Sequence, residues 1–399
     1  MTLTFGLFGC GGMGRRHLLG MQRLQAIGRL RFELAAVCDV VPAAGQQAAD
    51  RAAELLGRRP GVYTSFAELH RALPNLDAII VTTAPDTHAA LAVEALRAGV
   101  HVMVEKPIAL TVRQGLRMVA AAREAGRKLA VAENYRRDPI NRLARALIDA
   151  GALGRPFLAT QLSSGGGESV IITPWRHLRK TGGIVIDMGI HYTDLLEYYL
   201  GPIESVVGMS ARVDERRRDA QGDWHAVDAE DLSVGVARFQ SGAIANWLLS
   251  LAGRGEGSFS RMIYGTAGSL GIPGDRSGQP LRLVQHGATA ALADAQLLEL
   301  VPDFQLDPTT AALFGGERLT SYTMPWADID ASLLAIEQDD FVEAILTGRE
   351  PEVAGADGLR SLALVYGFLE AERLGRIVST ADLLSGAAHA YQDEIDLGD

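Results

Sequence analysis

Residues 3–14 read Leu3-Thr4-Phe5-Gly6-Leu7-Phe8-Gly9-Cys10-Gly11-Gly12-Met13-Gly14. Six mostly apolar residues run directly into a glycine-rich turn, and a helical pattern continues from it to about Ile27. A short, unbroken apolar run is what a strand buried on both faces requires. Glycines at 9, 11 and 14 match G-x-G-x-x-G, with Gly12 and Met13 in the same turn. The pattern has three physical reasons: a tight turn, a backbone close to a pyrophosphate, and close helix–strand packing. The helix start then offers free N–H groups and a positive dipole end to phosphates. Such a turn is not specific by itself, so its surroundings decide.

Phe32 to Cys38 reads as a second strand, and Asp39 follows it, 25 residues beyond Gly14. A carboxylate there can accept hydrogen bonds from the adenine ribose hydroxyls, although a turn or helix-cap role is the competing reading. Val40, Val41 and Pro42 come next, with no arginine to hold a 2′-phosphate, so NAD is favoured over NADP. Further strands are expected over 77–82, 100–104 and 128–132, with helices over about 42–56, 87–98 and 111–125. Strands alternating with helices of this length predict βαβ units and a parallel sheet. Beyond Pro139 the texture changes. Helices are expected over about 140–149 and 184–200, and then long β-like runs over 203–213, 231–239, 243–251 and 258–264. Gln240-Ser241-Gly242 is a hairpin signal, and Leu232/Val234/Val236 alternating with Ser233/Gly235/Ala237 has the period of two of a sheet with unlike faces. This half reads as α+β with a largely antiparallel sheet. Residues 285–330 read as loop or insertion, two helices over about 331–347 and 357–374 follow, and the acidic end from Gln392 reads as a loose tail.

The whole chain has 399 residues, 48% hydrophobic and 22% charged. At ~100–200 residues per domain that means two or three globular domains. A net charge of −10 gives no footprint for nucleic acid, and no apolar run suits a membrane span. With no basic, apolar leader and only Cys10 and Cys38, the expected location is the cytoplasm and the thiols are read as buried and reduced. Of 38 basic residues only Lys106, Lys128 and Lys180 are lysines, so a lysine inside a motif carries weight.

One of them lies in Glu105-Lys106-Pro107, at the end of an expected strand. Ligands of parallel sheets bind beyond the carboxyl ends of the strands, where a lysine can donate to a substrate oxygen. In Gly182–Asp194, Asp187 and His191 are four apart, which on a helix places both on one face. A carboxylate beside an imidazole orients the ring for general-base work. A plain surface pair and a metal site compete, but two ligands make a poor metal site and none is assigned. Ser163-Ser164-Gly165-Gly166-Gly167-Glu168 lacks the Gly-Lys-Ser/Thr ending of a phosphate loop and reads as a flexible segment at a pocket edge.

Taken together, the glycine fingerprint, Thr83-Ala84-Pro85-Asp86-Thr87-His88, Glu105-Lys106-Pro107, Asn134-Tyr135-Arg136 with Pro139, and Trp175-Arg176 leading into Gly182–Asp194 resemble the glucose–fructose oxidoreductase / inositol dehydrogenase / MocA family. The resemblance covers about residues 1–270. It implies an α/β protein: an N-terminal Rossmann doubly wound parallel sheet over 1–134, then a C-terminal α/β domain over 135–380 with a large, mostly antiparallel open sheet, and a tail over 381–399. It also implies an NAD-dependent dehydrogenase acting on a secondary alcohol of a sugar, glycoside or cyclitol, as a homodimer or homotetramer. By position, Lys106 would contact the reacting oxygen and His191 would accept the proton, supported by Asp187. Tyr135, Arg136 and Trp175 would approach the substrate, and Thr83, Pro85, His88 and Glu105 would lie along the cofactor. Two other readings use the same residues: a redox-neutral NAD-dependent glycoside hydrolase, and a sugar or NAD sensor without catalysis.

Overall fold

The computed structural model describes residues 2–395. Six strands, β1 (Leu3–Phe8), β2 (Phe32–Cys38), β3 (Gly61–Tyr63), β4 (Ala78–Val81), β5 (His101–Glu105) and β6 (Leu129–Ala132), alternate with helices α1 (Gly12–Ala26), α2 (Pro42–Leu56), α3 (Phe66–Ala72), α4 (Pro85–Arg97) and α5 (Val112–Ala125). All pair in parallel, in the order β3-β2-β1-β4-β5-β6. That is the doubly wound dinucleotide-binding order, and its direction reverses between β1 and β4, which opens a crevice beyond their carboxyl ends. Helices on both faces explain the unbroken apolar runs: every residue of β4 is buried, as are five of the six in β1. Local chemistry sets the helix bounds. Pro42 and Pro85 occupy first turns, the Ser65 and Thr111 side chains cap α3 and α5, and left-handed Gly57 and Gly126 close α2 and α5. The edge strand β3 and α3 escaped the sequence reading because three residues show no period; the Ser65 cap was the available signal.

The chain divides into two compact units, one of Met1–Arg137, Asp307–Glu317 and Met324–Leu359, the other of Asp138–Leu306, Arg318–Thr323 and Arg360–Asp399. In the first unit, α10 (Trp326–Thr347) lies along α1. Gly20 permits the approach, since a Cβ there would sit 3.1 Å from the Ala335 nitrogen. Ion pairs line the same seam, Arg16 with Asp330, Arg23 with Asp328 and Arg31 with Glu343.

The second unit contains α6 (Pro139–Asp149), α7 (Gly183–Leu200) and an eight-stranded sheet, β15 (Arg282–Gln285), β14 (Gly268–Ile272), β13 (Ser258–Gly265), β7 (Pro156–Gly166), β12 (Ile244–Gly253), β11 (Leu232–Phe239), β8 (Ile203–Ala211) and β16 (Val378–Ser379), in that order. Every pairing is antiparallel except β7 with β12. A separate ribbon joins β9 (Arg216–Arg218) to β10 (Trp224–Ala226). The expected hairpin forms between β11 and β12, with Gly242 at φ 86°. In β11 it is the small residues of the alternation that face inward. Ser233 and Ala237 are buried while Val234 and Val236 are exposed, as are Val207 and Met209 on β8. The reason is α11 (Gly355–Leu374), whose Phe368 ring would lie 2.6 Å from a Cβ on Gly235 and stacks on Trp247 at 4.8 Å.

Three expectations need correction. Residues 163–166 are not a flexible segment but the end of β7, an interior strand whose ladder is carried by backbone groups despite its polar side chains. Residues 285–330 are not featureless, since α8 (Asp294–Glu299) and α9 (Pro308–Phe314) lie there and α10 begins at Trp326. Gln392 does not begin a loose tail. After α12 (Thr380–Ser385), the backbone N–H groups of Tyr391 and Gln392 donate to buried Glu370, an acceptor no local pattern announces. Residues 396–399 of that tail lie outside the described residues. Among the described residues no helix is long and apolar enough to cross a membrane.

Candidate functional site

In the first unit the glycine turn is shaped by close packing. Gly9 has φ +91°, and a Cβ there would lie 2.7 Å from the Thr82 carbonyl carbon; one on Gly14 would overlap the Gly9 oxygen. Gly11 and Gly12 differ, since a Cβ at either meets nothing within 4 Å. The turn is thus tight behind and open in front, and α1 starts there with no side-chain cap and no acid in its first turn. Unspent N–H groups facing open space are what a dinucleotide pyrophosphate needs, so the residues fit that group. Half-buried Met13 touches Arg16 through its sulfur. Thr82, which the sequence reading missed, donates to the Gly9 carbonyl at 2.6 Å and ties β4 to the turn.

Asp39 accepts from the Cys10 N–H at 2.7 Å through one oxygen and from the Val41 N–H at 2.8 Å through the other. Each oxygen keeps a lone pair for a ribose hydroxyl. Exposed Val40 and Val41 flank it without a cation. Cys10 and Cys38 are free and buried, and burial pushes each thiol up to about 12, so neither is a nucleophile. Thr83 is half-buried and accepts from the Thr87 hydroxyl, and Pro85 is buried in the first turn of α4.

His88 and Glu105 turn inward. The His88 ring is 1% exposed, with Nδ1 2.9 Å from the Pro107 carbonyl and Nε2 3.1 Å from the Thr83 carbonyl; burial holds its pKa below the usual histidine range, so the neutral ring donates to one of the two. It lies between the chain segments that follow β4 and β5. Glu105 places Oε1 2.9 Å from His17 Nε2 and accepts the Lys106 N–H with Oε2, which directs it to α1 rather than outward. Lys106 is half-buried at the carboxyl end of β5, and its peptide bond to Pro107 is cis. Tyr135 is buried in a short 3-10 turn, with half-buried Arg136 beside it.

In the second unit α7 carries both Asp187 and His191, buried and one turn apart. The helix starts at Gly182 and Gly183, both at positive φ, and a Cβ on Gly183 would press on Ala229 at 2.8 Å. Asp187 forms an ion pair with Arg176, whose guanidinium stacks over the half-buried Trp175 ring at 4.8 Å. Sequence reasoning quoted Arg176 but gave it no role; only the fold brings it to the carboxylate. His177 was missed altogether. It is buried and accepts the Ile171 N–H at 2.9 Å, and burial, followed by the charge of Arg217, lowers its pKa to about 4. A neutral ring thus pins the segment that delivers Trp175 and Arg176.

Residues 3–133 match the oxidoreductase family with an NAD-binding Rossmann fold, and residues 141–271 match the C-terminal domain of the same family. The chain belongs to the Gfo/Idh/MocA family. As a Gfo/Idh/MocA oxidoreductase it carries an NAD(H)-binding Rossmann domain at its N-terminus. It is similar to D-apiose dehydrogenase of Paraburkholderia graminis, 28% identical across 94% of this chain and 89% of that one. It is also similar to inositol 2-dehydrogenase of Rhizobium meliloti, 27% identical across 91% and 95%. An NAD-binding oxidoreductase of Klebsiella pneumoniae shares the fold with a TM-score of 0.79, at 24% identity over 95% of this chain and 99% of that one.

Proposed function

We propose that this Gfo/Idh/MocA oxidoreductase is an NAD-dependent dehydrogenase that oxidises, or in reverse forms, a secondary alcohol of a sugar, glycoside or cyclitol. The observation that carries the reading is Lys106, one of three lysines in the chain, at the carboxyl end of β5 in the sheet that holds the glycine turn. Gly9, Gly11, Gly12, Met13 and Gly14 hold the cofactor's pyrophosphate, and Asp39 takes the ribose hydroxyls. Apolar Val40 and Val41 offer nothing to a 2′-phosphate, which supports NAD over NADP. NAD, when bound, supplies the acceptor for the hydride that leaves the alcohol carbon. Lys106 donates to the reacting oxygen and stabilises the charge growing on it, and His191 takes the proton. Asp187, with Arg176 on its Oδ1, orients the imidazole, while Trp175, Tyr135 and Arg136 contact the polyol. The similar chains named for apiose and inositol support a polyol substrate.

The exposed Val207, Met209, Val234 and Val236 on one sheet face support assembly as a homodimer or homotetramer. Two free, buried thiols suit the cytoplasm. NAD⁺-dependent NADH formation over a panel of sugars, inositols and glycosides tests the reading. Lys106→Ala should lose ~10²–10⁴-fold in turnover with NADH still bound. Unchanged turnover in that variant would remove Lys106 from the chemistry.

A further inference from the structure

At the end of β5, next to Lys106, lies a buried group of polar side chains that the proposed chemistry does not use. His17 of α1, Glu105 of β5 and Glu337 of α10 bring their ligand-type atoms within 4.8 Å of one another, and all three are buried. Glu337 is 0% exposed, and neither of its carboxyl oxygens has a hydrogen-bond donor. An ionised carboxylate in that state would carry a desolvation penalty of several kcal/mol. The guanidinium of Arg137 favours ionisation of Glu337 but makes no hydrogen bond to it and pairs with Asp340 and Glu352, while Arg16 pairs with Asp330. The other charges that act on Glu337 are the acids Glu105, Glu133 and Asp330, which all disfavour ionisation.

The tautomer of His17 follows from its neighbours. Gln338 Nε2 donates to the His17 carbonyl at 3.1 Å, which fixes the amide orientation, and the same nitrogen lies 3.0 Å from His17 Nδ1. Nδ1 is therefore the acceptor, and Nε2 carries the hydrogen that it donates to Glu105 Oε1. A ring nitrogen bearing hydrogen cannot bind a metal ion, so the missing positive charge in the cluster is a proton rather than a cation. Among the described residues Glu105 is the other carboxylate of this buried group, its ligand-type oxygen within 4.8 Å of one on Glu337.

We propose that Glu337 is a neutral carboxylic acid that donates its proton to the Glu105 carboxylate, and that it is a positioning residue for the strand end bearing Lys106. Glu105 is then held from two sides, by His17 and by Glu337, while its other oxygen accepts the Lys106 N–H at 3.2 Å. Two like carboxyls sharing one proton in a dry site are a stable arrangement, because both cannot ionise together. The catalytic consequence rests on the reading of Lys106 given above; the shared proton does not.

Two measurements test this. In infrared difference spectra at neutral pH, the parent should show a protonated-carboxyl carbonyl band that Glu337→Gln lacks. Glu337→Gln keeps a neutral donor and should retain kcat and NADH affinity. Glu337→Leu should lower kcat by about 10–10²-fold, with a smaller change in KM, through misplacement of Lys106. Absence of the band would overturn the shared proton, even if Glu337→Leu fails to fold. An inactive Glu337→Gln that loses a stoichiometric metal present in the parent would also overturn it, in favour of an ion site. A band together with a fully active Lys106→Ala would keep the proton and remove its catalytic role.

Discussion

The two units hold their candidate site residues by different means. In the first, the glycine turn is set by backbone against backbone, with Gly9 against Thr82 and Gly14 against Gly9, and by Asp39 gripping two N–H groups. In the second, Asp187 depends on a charged side chain eleven positions away, Arg176, and on a neutral His177 that pins the intervening segment. Main-chain packing tolerates almost no substitution but needs no partner to arrive. A side-chain network tolerates substitutions of like chemistry and fails when a single charge is removed. The sheets differ in the same sense: one is covered on both faces, whereas the other leaves Val234, Val236 and Met209 in the open, Met209 at 75% exposure.

The largest effect is expected at the turn. Gly14→Ala drives a methyl group into the Gly9 carbonyl, so it should abolish NADH binding and destabilise the first unit by about 1–3 kcal/mol. Gly11→Ala meets no protein atom within 4 Å, so it should leave thermal stability unchanged and weaken NADH binding alone. Fluorescence titration and melting of both variants decide this. Equal NADH affinity for Gly11→Ala and the parent would mean that the open space is not a cofactor cradle.

Next comes Arg176→Leu, which removes a cation paired with a nearly buried carboxylate. A loss of roughly 3 kcal/mol is expected, together with a collapse of turnover, while NADH affinity stays at the parental value. A parallel fall in NADH affinity would break the contrast between the two means of support.

The smallest effect concerns pH. His177 titrates near 4 in the folded chain and near 6.5 in the unfolded one, so the unfolded state binds the proton first as pH falls. Its contribution is complete above about 6.5 and is lost toward 4. His101, also lowered to about 4 by burial, acts in the same direction. Asp138, pushed up to about 6 by burial, acts in the opposite one, because the folded state holds its proton. Comparison of melting at pH 7 and pH 5 for the parent and His177→Gln isolates the one group. The variant, whose amide oxygen can still accept the Ile171 N–H, should lose about 1–2 kcal/mol less on acidification. Equal losses would show that His177 is not held neutral.

Most of the first unit was legible because its demands are local. A strand buried on both faces must be apolar throughout, a turn against a neighbouring strand must be glycine, and a helix start after it leaves N–H groups unspent. Those demands fall on consecutive residues, so residues 3–14 state them in order. Interior strand β7 was not legible, because its pairing comes from backbone groups that every residue owns, while its side chains are polar. The same limit hid His177 and the burial of Gln392 on Glu370, which join residues far apart in the chain or without a periodic mark.

The sequence by itself therefore determined the family, the doubly wound sheet, the position of the glycine turn and the residue types available for proton transfer. Tertiary structure alone decided which of them face inward. The fold buries His88 against the carbonyls of Pro107 and Thr83 and Glu105 against His17, partners that no local pattern announces. It also gives Asp187 its arginine and leaves Glu337 without a donor. The physical reason is that backbone geometry is specified by neighbours in the chain, whereas the solvation and charge balance of a side chain are set by whatever packs against it.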